Sequence, residues 1–207
     1  MTYTVRPMGK EDLEQVTAID HEAFPTQWPP ANYRQELQNK IAHYIVMCDS
    51  TKSVEVKPAV HKDKASFMSR FMPWKKSRPA IIPLPRQQQY IAGFSGIWMM
   101  VDEAHITNIA VRQEYRGRGL GEYLLLATID LAQELKASFL TLEVRASNTV
   151  AQGLYNKYGF MQMGVRRGYY LDNHEDAIIM STESISSDTF QSHIDQLRQD
   201  LPKKLPQ

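Results

Sequence analysis

The 207-residue chain has a single cysteine, Cys48, which excludes an intramolecular disulfide and any thiolate metal cluster. It has no apolar run near the roughly 18–20 residues of a membrane span, and its start, MTYTVRPMGKEDLEQ, lacks the pattern of a signal peptide. Charge of one sign is not in excess either. The 24 Lys+Arg against 23 Asp+Glu leave +1, too little for a protein whose main task is to neutralise duplex phosphates. The six histidines are scattered, with no H-x-x-x-H spacing to bring two ligands onto one face. These absences lead to an expectation of a cytoplasmic protein without a metal, with neither DNA nor membrane as partner. What is present is ordinary: 43% hydrophobic and 23% charged residues suit a folded domain and exclude disorder, collagen and a coiled-coil rod.

Texture divides the chain into a single expected domain over 1–183, interrupted by an insert at 50–89 and followed by an extension at 184–207. TYTVRPM reads as a strand. Glu11 to Phe24 reads as a helix with Leu13, Val16, Ile19 and Ala23 on one face. AFPTQWPP breaks the pattern before a short helix, Ala31–Asn39, and an apolar strand, His43–Cys48, where the thiol is expected to be inert. Strands are expected near Tyr90–Met99, His105–Val111 and Phe139–Val144, helices over Leu120–Lys136 and Thr149–Lys157, and further strands after Gly159. The stripe Leu120, Leu124, Leu131 and Leu135 points the long helix at a sheet.

The insert holds five of the eleven prolines and no glycine, so it reads as an extended connection. Its nine basic residues face only Glu55 and Asp63, a local excess of seven positive charges. Within it, SFMSRFMPW reads as one amphipathic turn docking on the protein's own sheet with the lysines solvated, the alternative being a ribosome- or membrane-facing patch. In the extension, Phe190, Ile194, Leu197 and Leu201 recur behind Ser187 and Asp188 as one capped helix, which Pro202 ends.

Three local signals carry chemistry. Tyr115-Arg116-Gly117-Arg118-Gly119-Leu120-Gly121 follows a strand and opens the long helix. Its glycines let the backbone turn tightly while free N–H groups and the helix dipole attract an anion. The spacing fits neither the dinucleotide fingerprint nor a P-loop. Glu143, inside the apolar strand Leu142–Val144, is the second, because a buried carboxylate must be paired or used. A salt bridge to Arg145 is one plain reason, the other being that the two share a face and both simply look outward. Asn148 reads equally as N-cap of the next helix. Tyr155, twelve residues after Glu143, can flank the same gap between strands, although a helical tyrosine is more often core.

Taken together, Ile109-Ala110-Val111, Arg116-x-x-Gly119-x-Gly121, Leu142-Glu143-Val144-Arg145, Asn148-x-x-Ala151-x-x-Leu154-Tyr155 and Gly159-Phe160 resemble the GNAT acyltransferases. Arg166-Arg167-Gly168-Tyr169-Tyr170 and Glu175–Met180 make the resemblance narrower, to the RimI-type ribosomal-protein alanine N-acetyltransferases. It covers about 90–182 strongly and 1–48 loosely, and leaves out the insert and the tail.

The resemblance implies an α/β GNAT fold: a mixed, mostly antiparallel sheet with two splayed parallel central strands and helices on both faces. It implies acetyl-CoA as co-substrate, with Ile109, Ala110 and Val111 holding pantetheine and acetyl. Arg116, Gly117, Arg118, Gly119, Leu120, Gly121 and Glu122 would hold the pyrophosphate, with Asn148 nearby. By the same pattern Glu143 is the general base, through water, and Tyr155 the acid that protonates the CoA sulfur. The Val111 N–H would donate to the oxyanion. The acceptor, a protein N-terminus and by preference the N-terminal alanine of a ribosomal protein, would enter between Phe24, Trp28 and Tyr33 on one side and Tyr169 and Tyr170 on the other. Attack by the amine is direct. A monomer or weak dimer is expected. Two alternatives stand beside this reading: a GNAT acting on lysine side chains or a small amine, and a CoA-holding binding module whose basic insert docks on RNA or a partner.

Overall fold

Alternating apolar residues build the sheet, and helices cover both of its faces. The computed structural model describes residues 2–26, 31–56 and 86–205. Seven strands, β1 (Tyr3–Pro7), β2 (Ala42–Val56), β3 (Arg86–Met100), β4 (Glu103–Val111), β5 (Phe139–Arg145), β6 (Phe160–Tyr170) and β7 (Glu175–Thr182), lie in the order β1-β2-β3-β4-β5-β7-β6. Only β4 and β5 pair in parallel; every other neighbouring pair is antiparallel. The helices are α1 (Leu13–Ala23), α2 (Tyr33–Glu36), α3 (Leu120–Glu134), α4 (Thr149–Lys157) and α5 (Asp188–Asp200).

Period-two alternation sends Tyr44, Val46 and Cys48 of β2 to one face, where Val16 and Ile19 of α1 and Tyr33 of α2 pack. Ile45 and Met47 of the same strand face the other side, against Leu120 and Leu124 of α3. A larger core gathers Leu140, Leu142 and Val144 of β5 with α3, α4 and α5. Leu131 and Leu135, expected in the α3 stripe, are partly buried at its edge.

Several boundaries differ from the expectation. The helix placed over Ala31–Asn39 is one turn, Tyr33–Glu36, because the chain turns at Leu37 to enter β2. The strand placed over His43–Cys48 runs on to Val56, and its partner begins at Arg86, with Ser53 opposite Gln89 and Val56 opposite Arg86. The two ends of the insert are thus a strand ribbon; its polar STKSVEV and RQQQ hid this, since a two-stranded ribbon needs no apolar face to satisfy its backbone. The amphipathic turn read in SFMSRFMPW lies outside the described residues.

The tail helix is α5. The Ser187 hydroxyl accepts a hydrogen bond from the Phe190 N–H at 3.2 Å, and the buried Phe190, Ile194 and Leu201 join the core that holds Tyr155, Tyr158 and Phe160.

Candidate active site

The site begins where the two parallel strands part. β4 and β5 are in register from Glu103 and Phe139 to Ile106 and Leu142. Beyond that point, among the described residues, Asn108–Val111 pair only with β3, and Glu143–Arg145 only with β7. An extra residue in β4 beside the shift between Gly96 and Ile97 marks a bulge, the device that re-aims a strand next to many sites.

Ladder parity shows where the freed backbone groups point. The Arg112 N–H donates to the Ala92 carbonyl at 2.9 Å. In an antiparallel pair hydrogen-bonded and non-bonded positions alternate, so Val111 and Ile109 turn their N–H and C=O groups away from β3, into the gap. One of these is answered: Arg116 Nε donates to the Val111 carbonyl at 3.2 Å. On the other wall the Ala146 N–H donates to the Asp176 carbonyl at 3.0 Å, which by the same rule turns the backbone of Glu143 toward the gap.

Next to this opening the glycine turn feeds α3. Gly117 and Gly119 adopt φ of +72° and +78°, a region L side chains rarely enter, which is why this turn is glycine. Gly119 is the N-cap, so the N–H groups of the first turn, from Leu120 onward, have no partner within the helix, the arrangement that favours an anion. A Cβ on Gly121 would meet only Leu154 Cδ2, at 3.8 Å, which leaves the approach to these amides open. Unpartnered amides at Ile109 and Val111 together with this cradle fit an extended, phosphate-bearing thioester. Glu122 is expected only as part of the backbone turn, and its side chain is engaged elsewhere. Its carboxylate binds Lys157, the Tyr158 hydroxyl at 3.0 Å and Lys204 at 3.2 Å, tying α3 to α4 and the tail. Asn148 is the N-cap of α4, its Oδ1 accepting from the Ala151 N–H at 3.1 Å.

Glu143 lies on the face opposite Leu142 and Val144. Its carboxylate is not paired with Arg145, one of the two plain readings the sequence offers. His105 Nε2 stands 3.1 Å from one oxygen and Arg166 Nη1 3.1 Å from the other. With 8% of its side chain exposed, the group would be costly to ionise alone. The His105 ring beside it outweighs desolvation and, with Arg166, holds the carboxyl below its usual range. Arg145 instead binds Asp172 at 3.0 Å and Glu175 at 3.1 Å and reaches Thr26 Oγ1 at 3.4 Å, with its guanidinium 3.9 Å from the Tyr170 ring centre. It therefore joins the end of α1 to the β6–β7 turn.

Tyr155 sits on the other face, in the core with Ile106, Leu142 and Val144, the buried residues nearest the point of parting. Its hydroxyl makes no hydrogen bond among the described residues, and burial, then the neighbouring Tyr170, pushes its pKa up. It stays a proton donor across the ordinary pH range.

Of the other residues expected at the acceptor side, Phe24 caps the C-terminal end of α1 and is partly buried. Tyr169 is exposed, with its ring centre 5.2 Å from that of Tyr170. Tyr33 is buried at 2% exposure, bonded through its hydroxyl to Asp20 and stacked edge-on with Tyr44 and Phe94. It is a core residue, because one turn of helix leaves it no route out of the cluster. Trp28 lies outside the described residues. Sequence reasoning missed His105 and Arg166 as partners of Glu143; two residues before the splay on the neighbouring parallel strand is the one signal that would have found His105.

A parallel pair that splays to free its amides, beside a glycine turn at a helix N-terminus, suits an acyl-CoA-dependent transferase. Residues 13–160 match the Acetyltransferase (GNAT) family, and the chain belongs to that family of acetyl-CoA-dependent acetyltransferases. It is 37% identical over 177 residues, 85% of this chain and 92% of the other, to a Bacillus subtilis (strain 168) protein provisionally named a [ribosomal protein bS18]-alanine N-acetyltransferase. The Escherichia coli (strain K12) [ribosomal protein bS18]-alanine N-acetyltransferase is 43% identical over 97 residues, 46% of this chain and 66% of that one. The crystal structure of the ribosomal-protein-S18-alanine N-acetyltransferase from Escherichia coli superposes with a TM-score of 0.60 at 25% identity, covering 90% of this chain and 97% of that one. Among the described residues no group of His, Cys, Asp and Glu is placed to hold a metal, and no helix is long and apolar enough to cross a membrane.

Proposed function

We propose that this acetyltransferase modifies protein N-termini, with the N-terminal alanine of ribosomal protein bS18 as its acceptor, Glu143 as general base and Tyr155 as general acid. The observation that carries the reading is the placement of these two groups. An ionised carboxylate on one face of the splay and a protonated phenol on the other let an amine approach from one side while the sulfur is protonated from the other. The names of the relatives supply the acceptor.

Acetyl-CoA supplies the activated acyl carbon. The first-turn amides of α3 hold its phosphates, and the Ile109 and Val111 backbone orients the pantetheine arm and thioester in the gap. The Val111 N–H, directed into low-dielectric space, stabilises charge developing on the acyl oxygen. Glu143 takes the proton that the attacking amine must lose, and Tyr155 gives one to sulfur. An α-amine, with reference pKa about 7.7–8.0, needs far less help than a lysine at about 10.4, which favours an N-terminus as acceptor. Arg145, between Thr26, Asp172 and Tyr170, shapes the acceptor entrance.

The test is acetyl transfer to peptides that differ only in their first residue, each with a free or a blocked α-amine. Transfer should require the free terminus and be fastest with alanine. Equal transfer to blocked peptides carrying lysine would move the assignment to side-chain acetylation.

A further inference from the structure

Glu143 does not stand alone. Thr141 Oγ1 donates its one hydrogen to Glu103. The same oxygen lies 2.8 Å from His105 Nδ1, and having only lone pairs left it must accept, so Nδ1 carries the hydrogen. Nε2 is then the ring position left open, and it is the atom 3.1 Å from Glu143. The chain Glu103–Thr141–His105–Glu143 runs along one face of β4 and β5, each member half-buried or better. The other groups facing it are Arg166 and Tyr170 of β6.

A carboxylate held low is poorly matched on its own to an ammonium of reference pKa about 7.7–8.0, and a ring nitrogen 3.1 Å away offers the proton a second seat. Resting on the reading of Glu143 as the base, we infer that Glu143 and His105 act as one proton-accepting pair. Glu143 collects the proton from the acceptor amine, and His105 Nε2 stores it while Thr141 and Glu103 fix the ring. The acceptor enters as an ammonium: one N–H bond breaks as a Glu143 O–H bond forms, and the freed electron pair makes the new C–N bond. The C–S bond then breaks with its pair going to sulfur, which takes the Tyr155 proton, and the second proton lost by nitrogen restores Tyr155 through water. The Glu143 O–H then breaks as Nε2–H forms, and the proton passes to water after the product leaves. His105 acts through Glu143 and is a positioning and proton-storing residue.

The experiment compares kcat at saturating acceptor peptide across pH 5–9 for wild type, His105→Gln, Thr141→Val and Glu143→Gln, with acetyl-CoA affinity as the control for folding. His105→Gln should lower kcat near pH 7.5 about 10–100-fold, below the roughly 10²–10⁴-fold expected for losing an acid–base group outright. It should also move the acid limb of the profile to higher pH, because the ring that holds the Glu143 carboxyl low is gone. Thr141→Val, close in shape, should shift both in the same direction by a smaller amount, and it carries the test if His105→Gln fails to fold. A lowered kcat with an unmoved acid limb in both variants, or wild-type behaviour in either, overturns the pair. If Glu143→Gln itself keeps the wild-type profile, the reading of Glu143 as base fails instead, and that outcome is separate from the first.

Discussion

Replacing Tyr155 by phenylalanine separates stability from catalysis more cleanly than any other single change in the site. The ring packs tilted against Phe160 at a centroid distance of 5.6 Å, and phenylalanine keeps that contact. The hydroxyl has no hydrogen-bond partner among the described residues, so its loss breaks no bond. Nor is it sealed from water, since among the described residues the buried side-chain polar atoms without a partner are Ser95 Oγ and Gln133 Nε2. Losing a solvent-reaching, unbonded hydroxyl should change stability by no more than about 0.5 kcal/mol, so at about 2–4 °C per kcal/mol for a chain of this size Tyr155→Phe should melt within about two degrees of wild type. Turnover should fall. General acid assistance is worth roughly 10²–10⁴-fold, but a thiolate of reference pKa about 8.5 is a tolerable leaving group near neutrality, so a loss of about 10–10²-fold is expected. Because burial raises the Tyr155 pKa, the wild-type enzyme should show no alkaline fall in kcat from this group below about pH 10. Release of the CoA thiol, followed with a chromogenic disulfide, measures the rate, and the buried Cys48 adds little background. Full activity in a folded Tyr155→Phe protein would refute its role as acid. A fall of several degrees in melting temperature would show instead that the hydroxyl is bonded within the core.

Other expectations follow from the same geometry. Gly121→Leu should fold, since a Cβ there meets only Leu154 at 3.8 Å, but side chains tilt toward the helix N-terminus, so acetyl-CoA affinity by calorimetry should drop about tenfold or more, as expected for one lost bond to a charged group; unchanged affinity removes the anion cradle. Gly119 is a poorer probe, because its φ of +78° and Lys204 at 3.3 Å strain any replacement. Phe190→Ala should cost about 3–5 kcal/mol and lower the melting temperature markedly, while the folded protein keeps its kcat; a shift under two degrees would make the tail peripheral. Val56 and Arg86 are paired across β2 and β3, so replacing 57–85 by Asn-Gly should close the hairpin and leave turnover on a short peptide near wild type; a collapse in a folded variant would place the insert in the active site. Burial raises the pKa values of Tyr33, Tyr155 and Tyr158, and pushes Tyr44 and Tyr170 up to about 12. Stability from these groups is complete below the unfolded value near 10 and lost as pH rises past it, so denaturant melts should weaken between pH 9 and 11, with tyrosinate absorbance appearing on unfolding; early titration without loss of stability contradicts this.

Local pattern by itself determined much of the molecule. FLTLEVR alternates because one face of β5 is core, and the same alternation singles out Glu143. Gly117 and Gly119 announce a turn that only residues tolerant of positive φ can make, and Asn148 and Ser187 announce helix starts through hydrogen bonds made within a few residues. All of these are decided by neighbours in the chain, so they can be read from it. Pairing across strands is not. His105 meets Glu143, and Arg145 turns away to Asp172 and Glu175, because register and splay bring together residues about thirty to forty positions apart. The ribbon at the ends of the insert, the burial of Tyr33 and the docking of Phe190 into the main core were likewise settled by packing. A carboxylate in a strand announces that it needs a partner; only the tertiary structure, which sets dielectric, distance and direction at once, decides which partner it gets.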